Sequence, residues 1–158
     1  LAVYTNTNGY VTGHSKSLPT ESDTLPIVLD AANNPAKLIV GFTNVSAPAS
    51  GSFDISYVIK KNKDEFSLSS TAINWVLVQD ATHVSILGHA NLTTFVNGAQ
   101  FNTQNVAVRF DIVLGSGSDP DHIDIKIFDP GVDPNTGSPT YTISNDIIAN
   151  GSNLMIHP

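Results

Sequence analysis

Apolar and polar residues alternate with a period of two along most of this chain, and helical periodicity is almost absent. The clearest run is 106–114, where Val106, Val108, Phe110, Ile112 and Leu114 share one face and Arg109 and Asp111 take the other. Residues 123–128 repeat the pattern with Ile123, Ile125 and Ile127 opposite Asp124 and Lys126, and 53–59 with Phe53, Ile55, Tyr57 and Ile59. Each reads as a strand with one buried face. Unbroken apolar runs at 38–42 and 75–78 predict central strands covered on both sides. Weaker strands are expected at 26–29, 84–87, 92–96, 141–143 and 154–157. Gly, Pro, Asn and Asp punctuate them, as in Asn33-Asn34-Pro35, Asn97-Gly98 and the stretch 115–120.

About ten short strands at this spacing predict an all-β fold. The expected form is an antiparallel β-sandwich, jelly-roll or Ig-like, or a barrel-like relative. Residues 26–158 read as that domain. Residues 1–25 stand apart as an N-terminal arm and tether. Leu1-Ala2-Val3-Tyr4-Thr5 is a good strand and Tyr10-Val11-Thr12 a fair one, followed by a polar stretch bounded by Pro19 and Pro26. The arm either folds back as an edge hairpin or completes the sheet of a neighbouring copy by strand addition. In the second case Val3, Tyr4, Tyr10 and Val11 are the inserted side chains.

Composition sharpens this picture. Only 13% of the residues are charged, and polarity comes instead from 16 Ser, 14 Thr and 15 Asn. Such a surface repels weakly at long range and packs well through close hydrogen bonds, which suits an extracellular β-protein or an assembled fibre. The net charge of −7 argues against nucleic acid or an anionic membrane as partner. No apolar run is long enough for a transmembrane helix. The absence of cysteine removes disulfides and thiol chemistry. With the acidic, β-rich character, it points to a prokaryotic extracellular or cell-surface location. The chain opens at Leu1 without a methionine or an apolar leader, so the expectation is that any leader has been removed or lies outside the given sequence.

From Ser52 onward the order of several segments resembles the C-terminal all-β domain of many secreted and surface-attached bacterial proteins. The segments are Gly51-Ser52-Phe53-Asp54-Ile55-Ser56-Tyr57, Phe66-Ser67-Leu68-Ser69-Ser70-Thr71 followed by Trp75, and Gly88-His89-Ala90-Asn91-Leu92. They are followed by Phe110-Asp111-Ile112-Val113-Leu114 with residues 121–129, and by the tail Asn150-Gly151-Ser152-Asn153-Leu154-Met155-Ile156-His157. Ser152 stands where the family motif has a glycine, and the loop 129–139 is longer than usual. The resemblance implies an accessory or structural extracellular role with no catalytic residues, and leaves the arm unmatched.

Candidate chemistry is sparse. Asp119, Asp121, Asp124, Asp129, Asp133 and Asn135 cluster among Gly and Pro, which fits either ordinary turn chemistry or calcium, with Asp119, Asp121 and Asp133 as ligands. No other cofactor is expected. The five histidines form no metal-binding spacing, and no nucleophile or phosphate-loop motif occurs, so no enzymatic activity is expected. Asn44, Asn91 and Asn150 head glycosylation sequons, about the number that chance supplies at this composition. Trp75, in an apolar run, reads as a core residue, with a sugar-stacking platform as the alternative. Two functions fit: a homopolymeric filament subunit joined by donor-strand exchange, pilus-like, or a carbohydrate-binding or adhesin module stabilised by calcium.

Overall fold

A computed structural model describes residues 8–27, 36–59 and 63–158. Among these residues nine strands form one sheet: β1 Tyr10–Ser17, β2 Leu38–Ser46, β3 Ser50–Ile59, β4 Asp64–Asp80, β5 His83–Val96, β6 Ala99–Val113, β7 His122–Phe128, β8 Tyr141–Asp146 and β9 Met155–His157. No helix occurs among the described residues. Neighbours from β1 to β8 follow chain order, every pairing is antiparallel, and β9 returns to lie beside β1. The all-β antiparallel expectation holds. Of the forms that the pattern allowed, the strands take a single sheet curled into a half-barrel.

The curl is visible in the packing. Phe42 on β2 and Phe53 on β3 meet Phe110 on β6 edge to face, with ring centroids 5.1 Å and 4.9 Å apart. In sheet order β2 is four strands from β6, so these contacts cross the interior. Residues from every strand contribute to one continuous buried cluster, from Val11 to Ile156. Gly88 on β5 makes room for this. A methyl group there would come within 2.7 Å of the Phe53 ring and of the Ala72 carbonyl oxygen. The ring can therefore lie low over β5 and reach Phe110.

Four expectations change. The tether predicted after Gly13 is instead the second half of β1. Its inward positions are Ser15 and Ser17, each 1% exposed, and small hydroxyl side chains on a buried face look like loop residues in sequence. The run 38–42 is not covered on both sides, because Ile39 is 37% exposed while Leu38 and Val40 are buried. A single curled sheet has only one inner face. The expected strands at 84–87 and 92–96 fuse into β5, and 75–78 is the end of the 17-residue β4. Bulges between Ser70 and Ala72 and between Ile73 and Trp75 shift the facing of β4. Val76 consequently takes the buried position and Trp75 is only half-buried. The arm residues Val3 and Tyr4, and part of the expected strand 26–29, lie outside the described residues.

Phe110→Ala should remove the shared partner of both inner phenylalanines and cost about 3–5 kcal/mol, read as a lower urea midpoint at unchanged slope.

Candidate functional site

The edges of a curled sheet decide what it can bind, since each unpaired strand offers a row of backbone donors and acceptors. Most edges here are covered. Along β8, the Thr24 N–H donates to the Thr142 carbonyl at 2.9 Å, the Thr142 N–H donates to Thr24 Oγ1 at 2.7 Å, and the Ser144 N–H donates to Asp23 Oδ1 at 2.9 Å. Beyond β8 the chain runs past β1. There Ile148 N–H donates to the Lys16 carbonyl at 2.8 Å and Asn153 N–H to the His14 carbonyl at 2.9 Å. β9 is only three residues long. The upper half of β4, which β3 does not reach, is met by the Pro48 carbonyl, which accepts from Val76 N–H at 2.9 Å.

The first half of β6 differs. β5 pairs along the whole strand, but β7 joins only from Ala107 onward. Residues 99–105 therefore have a strand neighbour on one side only among the described residues, and nearly all of them are exposed. Phe101 is 78% exposed. Beside it lies a groove of about 380 Å³ lined by Leu25, Ile27, Thr94, Val96 and Phe101, with Asp64 as the charged residue on its wall. The sequence signal for this edge was available in principle: Ala-Gln-Phe-Asn-Thr-Gln-Asn follows a turn and holds no charge. The run lacks the alternation that marks a buried face, so periodicity does not single it out.

A second polar area lies on the outer face. The Arg109 guanidinium carbon is 5.3 Å from the centre of the Trp75 ring, and Arg109 Nε donates to Asp111 Oδ2 at 3.0 Å. Ser85 Oγ donates to the same carboxylate at 2.6 Å. Asn105 Nδ2 donates to Thr71 Oγ1 and to Asn91 Oδ1, so hydroxyls and amides lace β4, β5 and β6 together.

Among the sequence-derived candidates, Tyr10 and Val11 belong to β1. Val11 is fully buried and pairs with Val45 on one side and Ile156 on the other, and the Tyr10 ring stacks on His157 at 4.2 Å. Both are held within the chain's own sheet. The proposed calcium ligands do not come together. Asp119 and Asp121 precede β7 and Asp133 follows it, so the length of that strand separates them. Asp121 Oδ1 accepts from Gly115 N–H and Asp133 Oδ1 from Asn135 N–H, which is turn chemistry. No group of three or more potential metal ligands gathers among the described residues. Asn44, Asn91 and Asn150 are all exposed.

Each histidine has a polar partner. His14 meets the Gly151 carbonyl, His89 meets Asn74 Oδ1, and His157 meets Thr12 Oγ1. At the β4–β5 turn, Asp80 accepts from the Thr82 hydroxyl and backbone N–H and lies beside His83. These bonds hold its carboxyl down at about 2. His122 is bracketed by Asp146 at 2.9 Å, Ser144 Oγ at 2.9 Å and Asp124 at 3.2 Å. No family model, curated protein or solved structure matches this chain.

The Asp146 hydrogen bond, reinforced by Asp124, holds the His122 pKa above its ordinary 6.5 against a smaller opposing effect of burial. The folded state thus binds this proton more tightly than the unfolded chain. The stabilisation is complete below 6.5 and is lost as pH rises through the higher folded value. The site is solvent-screened, so the effect is about 0.5 kcal/mol. Melting curves at pH 5.5 and 8.5 should show a fall in stability with pH that shrinks in His122→Gln.

Proposed function

We propose that this chain is a structural subunit of an extracellular, cell-surface filament, assembled by β-strand addition between identical copies, and that it has no catalytic role. The observation that carries this reading is the anchoring of β1. Tyr10 and Val11 are fixed between β2 and β9 at one pole of a sheet whose core draws on all nine strands. Ahead of them, across Asn6 to Gly9, the sequence supplies Leu1-Ala2-Val3-Tyr4-Thr5, an uncharged segment rich in strand-forming residues. A rigid root followed by such a segment suits a donor strand, with Val3 and Tyr4 as the inserted side chains and Tyr10 and Val11 as its anchor. The low charge and the lattice of Thr, Asn and Gln on the outer face favour close packing of copies side by side.

A second reading rests on the half-buried Trp75 beneath Arg109, next to Asp111 and Ser85. An aromatic ring beside planar hydrogen-bonding groups suits a carbohydrate-binding or adhesin module.

Negative-stain electron microscopy separates the two. Full-length chain should form filaments, and a chain beginning at Asn8 should stay monomeric with its melting temperature within about 3 °C of the full-length monomer. Monodisperse particles from both chains would overturn the filament reading and send attention to the Trp75 face.

A further inference from the structure

We infer that residues 99–105 of β6 are the acceptor edge, and that the strand seated on them is residues 1–7 of a second copy. This rests on the filament reading above and adds to it the place and polarity of the contact. Three observations converge on the edge.

The first is its lack of protection. Natural sheets blunt free edges with Lys, Pro, short length or covering segments. Here β8 is covered by Asp23 and Thr24, and β9 has three residues. Residues 99–105 have neither a covering segment among the described residues nor a single charged residue or proline. The one bulge, where Thr94 faces Asn102 and Phe95 faces Gln100, brings Phe101 to the groove rather than closing the edge.

The second is fit. Residues 1–7 are likewise uncharged in their side chains, and Val3, Tyr4 and Thr5 among them are strand-forming residues. Alternate side chains of an added strand point to opposite faces. One set would enter the groove between Ile27 and Phe101, and the other would join the outer Thr103 and Thr93 hydroxyls.

The third is polarity. Tyr10, the root of the arm, pairs with Ser46 and His157 at the pole where β2 ends and β3 begins. Ala99 lies at the opposite pole, beside the start of β4, where Gly98 N–H donates to the Lys63 carbonyl. An arm that leaves one pole to pair at the other joins copies head to tail. Such a contact is heterologous, does not close on itself, and generates a fibre.

The chain has no cysteine, so paired cysteines report the contact cleanly. Full-length chain carrying Val3→Cys and Thr103→Cys should give a ladder of disulfide-linked multimers under mild oxidation. Val3→Cys with Thr142→Cys, on the covered β8 edge, should give none. Phe101→Lys with Thr103→Lys, both at exposed positions, should keep the melting temperature and cut sedimentable polymer about tenfold. A covalent monomer without multimers, or a ladder only through Thr142→Cys, overturns the inference. If filaments require residues 1–7 but persist in the lysine variant without the Val3–Thr103 cross-link, the filament reading stands and the edge assignment fails. If no arm-dependent polymer forms, both fall.

Discussion

Everything in this molecule depends on one sheet having to bury its own face. There is no helix layer among the described residues and no second sheet to cover the apolar side, so the strands curl until the sheet meets itself. Phe110 is the point of closure. It receives Phe42 and Phe53 edge to face from strands that lie three and four places away in the sheet. Gly88 allows that approach, because any side chain there would strike the Phe53 ring. Burial of large apolar side chains is the dominant favourable contribution, and here it is gathered around one aromatic triad rather than spread between two layers.

Curling one sheet also staggers its strands, and stagger creates edges. β4, β5 and β6 are much longer than their outer neighbours, so β3 reaches only the first third of β4 and β7 only the second half of β6. The chain covers most of the resulting open backbone with its own segments: residues 23–24 against β8, the stretch before β9 against β1, and Pro48 against β4. The contrast with the uncovered part of β6 is what gives that edge its meaning. Three edges are covered in this way, whereas, among the described residues, 99–105 of β6 stay uncharged, exposed and without a strand on their second side, and the proposed acceptor edge rests on that contrast.

Charge has a minor part in this architecture. The few ionisable groups are used locally, to close the β4–β5 turn through Asp80 and Thr82 and to tie β7 to β8 through His122 and Asp146. The outer face is held instead by short bonds among Ser, Thr and Asn, which lose little in salt and tolerate close neighbours.

The alternation of Val106 to Ile112, Ile123 to Ile127 and Phe53 to Ile59 determined by itself that the chain is antiparallel and all-β, since a period of two leaves no other way to bury one face. The core positions of β3, β6 and β7 followed residue by residue. The sequence also shows directly that the chain holds no cysteine. It did not reveal β1 beyond Thr12, whose buried positions are serines, nor the true facing of Trp75, which two bulges in β4 set. It placed Asp119, Asp121 and Asp133 close together along the chain, while β7 carries them apart. Only the tertiary structure decided that there is one curled sheet, and only it showed where, among the described residues, β6 has a strand on one side alone. Periodicity specifies what one face of a strand wants; strand length against neighbouring strand, which fixes the edges, is settled only when all nine are paired.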